Sequence, residues 1–182
     1  MSEELVVRCC APTLASIKTA NMFTCHFQSA QEMKDSVRSL NRRLRSKGLC
    51  VVPLRYRDGT GLIYVYRPGK LHCDLRDETA CRLLSSRGYS CGHTADCVRQ
   101  LRRKLSQQEE FPHEIGLFLG YPPEDVDGFI HRKNEAKCVG HWKVYGDVES
   151  AVRTFALYKK CTSAYLKQLE NGRSLERLAV AR

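Results

Sequence analysis

Residues 51–67 constrain the fold most. Val51 to Arg57 alternates Val52, Leu54 and Tyr56 against Arg55 and Arg57, Asp58-Gly59-Thr60-Gly61 follows, and Leu62 to Arg67 is rich in β-branched and aromatic residues. Period-two alternation on one side of a glycine turn and a β-rich run on the other predict a β-hairpin. Pro68-Gly69 ends it.

Most of the remaining sequence reads as helix. Pro12 suits the first position of a helix, with Cys10, Leu14, Ile17 and Asn21 on one face. A second helix is predicted from about Ser29 to Lys47, striped by Met33, Val37, Leu40 and Leu44 and stopped at Gly48. Others are predicted from about Asp77 to Arg87 and from about Thr94 to Gln107, the latter with Val98, Leu101 and Leu105 inward. Phe111-Pro112-His113-Glu114 opens a short apolar helix ending at Gly120, and Pro122-Pro123-Glu124-Asp125 opens the next. His141 to Tyr145 reads as a strand. A long helix runs from about Asp147 to Glu170, and Ser174 begins a short last element. There is no repeat, low-complexity tract or linker. The expectation is one α+β domain over residues 1–182, helix-rich, with a β-hairpin and one or two further short strands.

A chain of 182 residues, 42% hydrophobic and 27% charged, is long enough to bury a core without disulfides or metal. That balance argues against disorder. The apolar stretches Leu62–Tyr66 and Ile115–Tyr121 are too short to span a membrane. Met1-Ser2-Glu3-Glu4-Leu5 lacks the basic start and apolar run of a secretory signal. The expectation is a cytoplasmic protein with no membrane partner, its ten cysteines reduced.

Thirty Lys and Arg against twenty Asp and Glu give a formal net charge of +10. Arg42, Arg43 and Arg45 suit phosphate contacts, so non-specific nucleic-acid binding is one candidate function. No helix-turn-helix, RNA-binding or zinc-finger pattern supports it, and a solvated basic face is the alternative. No Cys-x-x-Cys occurs, and the spacing of Cys91, His93 and Cys97 matches no common metal site. No metal site is predicted. P-loop and Rossmann fingerprints are absent, and no cofactor is implied.

Thiol chemistry supplies the sharper candidate. Cys10 stands just before the predicted helix start, where the helix dipole favours a thiolate. Cys10-Ala11-Pro12 also resembles the nucleophile helix of papain-like thiol peptidases. Such a nucleophile needs a base, for which His113 and His141 are candidates. Candidate catalytic residues are therefore Cys10, His113 and Glu114. Lys18, about two turns after Cys10, is a candidate ligand-binding residue with Tyr121 and Trp142, the last two as an aromatic wall. The plainer reading is that Cys10 packs and that Phe111 to Ile130 is a pair of helices packed through Leu117, Phe118, Val126 and Phe129.

Three segments together, Cys10 to Phe23, Phe111 to Val126 and Gly140 to Asp147, resemble the bacterial domain-of-unknown-function family 3793, found mostly in anaerobes. The resemblance extends from about Val7 to Leu178. It implies a single-domain cytosolic protein and carries over neither an activity nor catalytic residues. It also implies that the position before the Trp is not fixed as His, which favours His113 over His141 as a base. The functional expectation is a small binding or scaffold protein with a cleft. The alternatives are a thiol-dependent hydrolase or transferase using Cys10, and a non-specific nucleic-acid binder.

Overall fold

The structure, a computed structural model, describes residues 1–107 and 110–181. The chain divides into two compact units, Met1–Gly69 with Lys160–Arg182, and Lys70–Lys159.

In the first unit, helix α1 spans Glu3–Leu14. Ser2 is its N-cap, accepting from the Leu5 N–H at 3.2 Å, and Glu3 and Glu4 complement the dipole in the first turn. Pro12 therefore lies in the last turn of a helix and does not open one. The acidic, Ser-capped start and the buried stripe Val6, Val7, Cys10 and Leu14 outweigh the local preference of Pro12 for a helix start. Ser16, at φ 60°, then turns the chain into strand β1 (Ala20–His26). Asn21, read from the sequence as helical, pairs with Val65 in that strand.

Strands β2 (Cys50–Arg57) and β3 (Thr60–Tyr66) form the hairpin. Its turn is only Asp58-Gly59, at φ 50° and 72°, the positive-φ pair that a two-residue loop matched to strand twist requires. The antiparallel sheet has the order β1-β3-β2, which makes β3 central, and Leu62 to Tyr66 are buried throughout. Helix α2 (Ala30–Leu44) buries Met33, Val37, Leu40 and Leu44, as the periodicity predicts. A single 3-10 turn, Arg45–Lys47, and Gly48 at φ 72° end it. One apolar cluster joins α1, α2, the sheet and the closing helix, Leu175 to Leu178.

Inside this unit, Arg67 is 3% exposed. Its guanidinium donates to the carbonyls of Thr13 and Leu14 at 2.7 Å each, Val180 at 2.9 Å and Lys47 at 3.1 Å. Two of these carbonyls lie at the end of α1, where a cation is favoured, and each also accepts a backbone N–H, Thr13 O from Ser16 and Leu14 O from Val180.

Helix α3 (Pro68–Asp74) starts on the proline that the sequence suggested only as a hairpin stop. The second unit continues with α4 (Glu78–Ser86), α5 (Thr94–Gln107), α6 (Ile115–Phe118) and α7 (Pro123–His131). A two-stranded ribbon follows, β4 (Cys138–Val139) antiparallel to β5 (Lys143–Val144), then helix α8 (Val148–Glu170). The fold is α+β. Among the described residues, no helix is long and apolar enough to cross a membrane.

Candidate functional site

A cavity of about 230 Å³ opens in the second unit beside α6, α7 and β5. Its shape follows from one turn. Gly120, at φ 71°, closes α6 as a Schellman cap: the Tyr121 N–H donates to Gly116 O and the Gly120 N–H to Leu117 O. This returns Tyr121 over Gly116. A β-carbon on Gly116 would stand 2.8 Å from Val126 Cγ2 and 3.1 Å from Tyr121 Cδ2, so the missing side chain leaves room for that ring.

Trp142 forms the facing wall. Its ring stacks on Tyr121, with centroids 4.8 Å apart and 28° between planes, and meets the edge of Phe155 at 4.5 Å. The indole N–H donates to Asp125 Oδ2 at 2.7 Å. Asp125 Oδ1 accepts from the backbone N–H of Tyr145 at 2.7 Å and of Gly146 at 2.8 Å. The buried carboxylate thus ties α7 to the ribbon and fixes the indole. The Tyr121 hydroxyl donates to His141 O at 3.2 Å, and burial pushes the phenol pKa up.

At the other wall, His113 sits edge-on to Phe129, with centroids 5.2 Å apart. Lys143 Nζ stands 5.7 Å from the centre of that ring. The lining is therefore mostly aromatic and aliphatic, with an imidazole and an ammonium at its margin. The Asp125 carboxylate already accepts three N–H groups.

Three sequence candidates, His113, Tyr121 and Trp142, meet at this cavity. Glu114 does not line it. That side chain is 2% exposed and paired with Lys104 Nζ at 3.1 Å, and Lys104 also donates to Arg87 O and covers the Tyr89 ring. The Tyr89 phenol is held well above its usual pKa, first by burial and then by the adjacent Glu114 carboxylate. Glu114 thus serves a largely buried charge pair at the wall of a further cavity, which it shares with His113, Lys104 and Arg87.

Cys10 and Lys18 belong to the first unit. The predicted helix start at Pro12, just after Cys10, is incorrect, since α1 spans Glu3–Leu14. Cys10 is wholly buried in the body of α1, far from the Ser2 cap whose dipole end would favour a thiolate. Burial, and secondarily Cys9, raise its thiol pKa, opposed by Lys18. Lys18 is 5% exposed; burial lowers its ammonium to about 8, opposed by Cys10. The two are electrostatic neighbours, and their environment favours the neutral forms of both.

The basic residues singled out from the sequence are partly engaged. Arg43 is ion-paired with Glu3 and Glu176; Arg42 and Arg45 are exposed. Among the described residues no group of three His, Cys, Asp or Glu side chains is placed to hold a metal ion. All ten cysteines are free thiols.

Sequence reasoning missed the role of Asp125. Within Pro122-Pro123-Glu124-Asp125 it reads as an acid in a first helical turn, and its actual partners lie 17 to 21 residues away, with no local signal to reveal them.

The geometry defines a class: a helix-rich α+β protein with an aromatic-walled cavity locked by one buried carboxylate. The family described as "Protein of unknown function (DUF3793)" matches residues 6–179, and the chain belongs to that family. No curated protein and no solved structure matches the chain.

Proposed function

We propose that the protein binds a small aromatic carboxylate in the cavity between Trp142 and Phe129. The observation that supports this reading most is the lining itself: apolar and aromatic walls with Lys143 and His113 at the margin. Flat apolar walls favour a ring by burial and by stacking. The ammonium supplies the charge that a carboxylate needs, and the imidazole offers a hydrogen bond. Three N–H dipoles, from the indole and the Tyr145 and Gly146 backbone, point at the Asp125 carboxylate and partly offset its charge. No bond-making step is implied: the proposed role is binding.

Calorimetric titration with phenylacetate, and with 2-phenylethanol as its uncharged counterpart, tests the reading. Saturable binding of phenylacetate and clearly weaker binding of the alcohol support it. Lys143→Met should weaken phenylacetate by about fivefold, equivalent to roughly 1 kcal/mol for a partly exposed charge contact. Equal affinity for acid and alcohol, or an unchanged Lys143→Met, contradicts the assignment of the anion to Lys143. No binding of either probe contradicts the proposal itself.

A further inference from the structure

A second cavity of the Lys70–Lys159 unit, about 440 Å³, has different chemistry. Cys81, Cys91 and Cys97 line it together with His72, Arg76 and Thr94. The thiols converge because of the way α4 ends. Gly88, at φ 79°, closes α4 with the Tyr89 N–H donating to Leu84 O and the Gly88 N–H to Ser85 O, both at 3.0 Å. This Schellman cap sends the chain back along the helix it has just left. Cys91 Sγ thereby comes to 3.5 Å from Cys81 O and 3.5 Å from Ser85 Oγ. The Cys81 thiol turns toward Leu75 O, also at 3.5 Å.

We propose that Cys81 and Cys91 form a thiol–disulfide exchange site, which a low-molecular-weight disulfide such as glutathione disulfide converts to an intramolecular Cys81–Cys91 bond. In the first step the Cys91 thiolate attacks one sulfur of glutathione disulfide. Its S–S bond breaks, one glutathione thiolate leaves, and a Cys91–glutathione mixed disulfide forms. The Cys81 thiolate then attacks the Cys91 sulfur and expels the second glutathione. Two protein thiols are oxidised, one small disulfide is reduced to two thiols, and the two protons lost by the protein pass to them.

Several features support this assignment. The cavity admits a reagent to both sulfurs, and Arg76 at its wall favours an anionic one. Burial and then Cys91 raise the Cys81 pKa, whereas Arg76 lowers it. Cys91 stands in the turn before α5 and Cys81 within α4, so Cys91 is assigned the first attack and Cys81 the resolving one. Cys97 is the bystander: it is 2% exposed, its thiol donates to Ser90 O at 3.3 Å, and burial raises its pKa.

The test is oxidation of the full chain with one equivalent of glutathione disulfide, followed by alkylation, tryptic digestion and mass spectrometry. Arg82 and Arg87 lie between the two cysteines, so trypsin leaves peptides Asp77–Arg82 and Gly88–Arg99 joined only by the new bond. The expected product lacks two hydrogens, carries no glutathione, and gives fragment ions that place the link on Cys91. Cys91→Ser should abolish the loss, and Cys97→Ala should retain it. The exposed Cys73 serves as the comparator in the wild-type chain and should remain alkylatable. A persistent glutathione adduct, a link on Cys97, or reaction of Cys73 before the pair would overturn the proposal. The wild-type digest decides between these results even if a variant folds poorly.

Discussion

The two compact units treat buried polar groups in opposite ways. In the Met1–Gly69 and Lys160–Arg182 unit, Arg67 donates to four carbonyls from three parts of the chain, and Lys18 and Cys10 are both enclosed. In the Lys70–Lys159 unit, the buried Asp125 carboxylate fixes an indole at the wall of a cavity, and three thiols border another. One unit uses polarity to close its core. The other uses it to hold side chains around open space. Substitutions in the first should therefore alter stability, and those in the second should alter binding or reactivity.

The largest effect is expected at Arg67. Arg67→Met keeps much of the apolar stem and takes the charged donor from the carbonyls of Thr13, Leu14, Lys47 and Val180, the first two of which keep the N–H groups of Ser16 and Val180. Hydrogen bonds from a charged donor are worth roughly 1.5–3 kcal/mol each, and the set is not additive. A loss of about 4 kcal/mol is expected in urea unfolding; a loss below about 1 kcal/mol would show that Arg67 does not close this core.

Lys18 comes next, and its effect is readable by pH. Burial brings its ammonium from 10.5 to about 8. Between those values the unfolded chain holds more protons than the folded one, so this group makes stability rise with pH. The burden of the buried charge, at most about 3 kcal/mol, is full below pH 8 and relieved toward 10.5. Cys10 acts in the opposite sense: burial raises its thiol above the ordinary 9.0, so above pH 9 the unfolded chain loses a proton that the folded chain keeps. Lys18→Met should remove only the rising component. Parallel wild-type and variant profiles in urea from about pH 7 to about pH 10 would contradict this account.

In the other unit, Asp125→Ala strands the indole N–H and two backbone N–H groups, at a cost of about 3 kcal/mol. Unlike Arg67→Met, it should also abolish phenylacetate binding. Asp125→Asn is the sharper variant, because the amide holds both sites only by facing one N–H group toward another. A shift in Trp142 emission reports the change, and an unchanged spectrum would show that Asp125 does not position the indole.

The smallest effect belongs to the surface pairs of Arg43. Its guanidinium lowers the Glu176 carboxyl to about 2 from an ordinary 4.5. The associated stability is present above pH 4.5 and is lost as pH falls toward 2. With both side chains about one-third exposed, solvent screening leaves under about 1 kcal/mol. Arg43→Ala should flatten the acid limb of the stability profile by that amount and leave binding unchanged.

The differences between sequence and structure follow the same division. The stripe Met33, Val37, Leu40 and Leu44 and the hairpin were legible because helix period and strand alternation are local properties, although Thr60 and Gly61, read as part of the turn, are paired in β3. Strand β1 was not, since Ala20 to His26 lacks clean alternation and takes its hydrogen bonds from β3. Pro12 misled because proline tolerates both a first helical turn and, here, a last one. The division into units falls at Gly69 and within the continuous helix α8, where no change of composition marks it. For the candidate site, His113, Tyr121 and Trp142 were legible as chemistry-bearing residues beside turn signals. Asp125 was not, because its function is set by groups that only folding brings to it.

Trp142 is the chain's single tryptophan, so its fluorescence reports on the cavity without interference from another indole. Acrylamide quenching of Trp142, measured as phenylacetate is added, tests the central claim. Binding against the indole predicts a quenching constant that falls saturably with phenylacetate, with a higher midpoint in Lys143→Met and little response to 2-phenylethanol. A quenching constant that stays level at phenylacetate concentrations that saturate the calorimetric signal would place the ligand elsewhere and contradict the account.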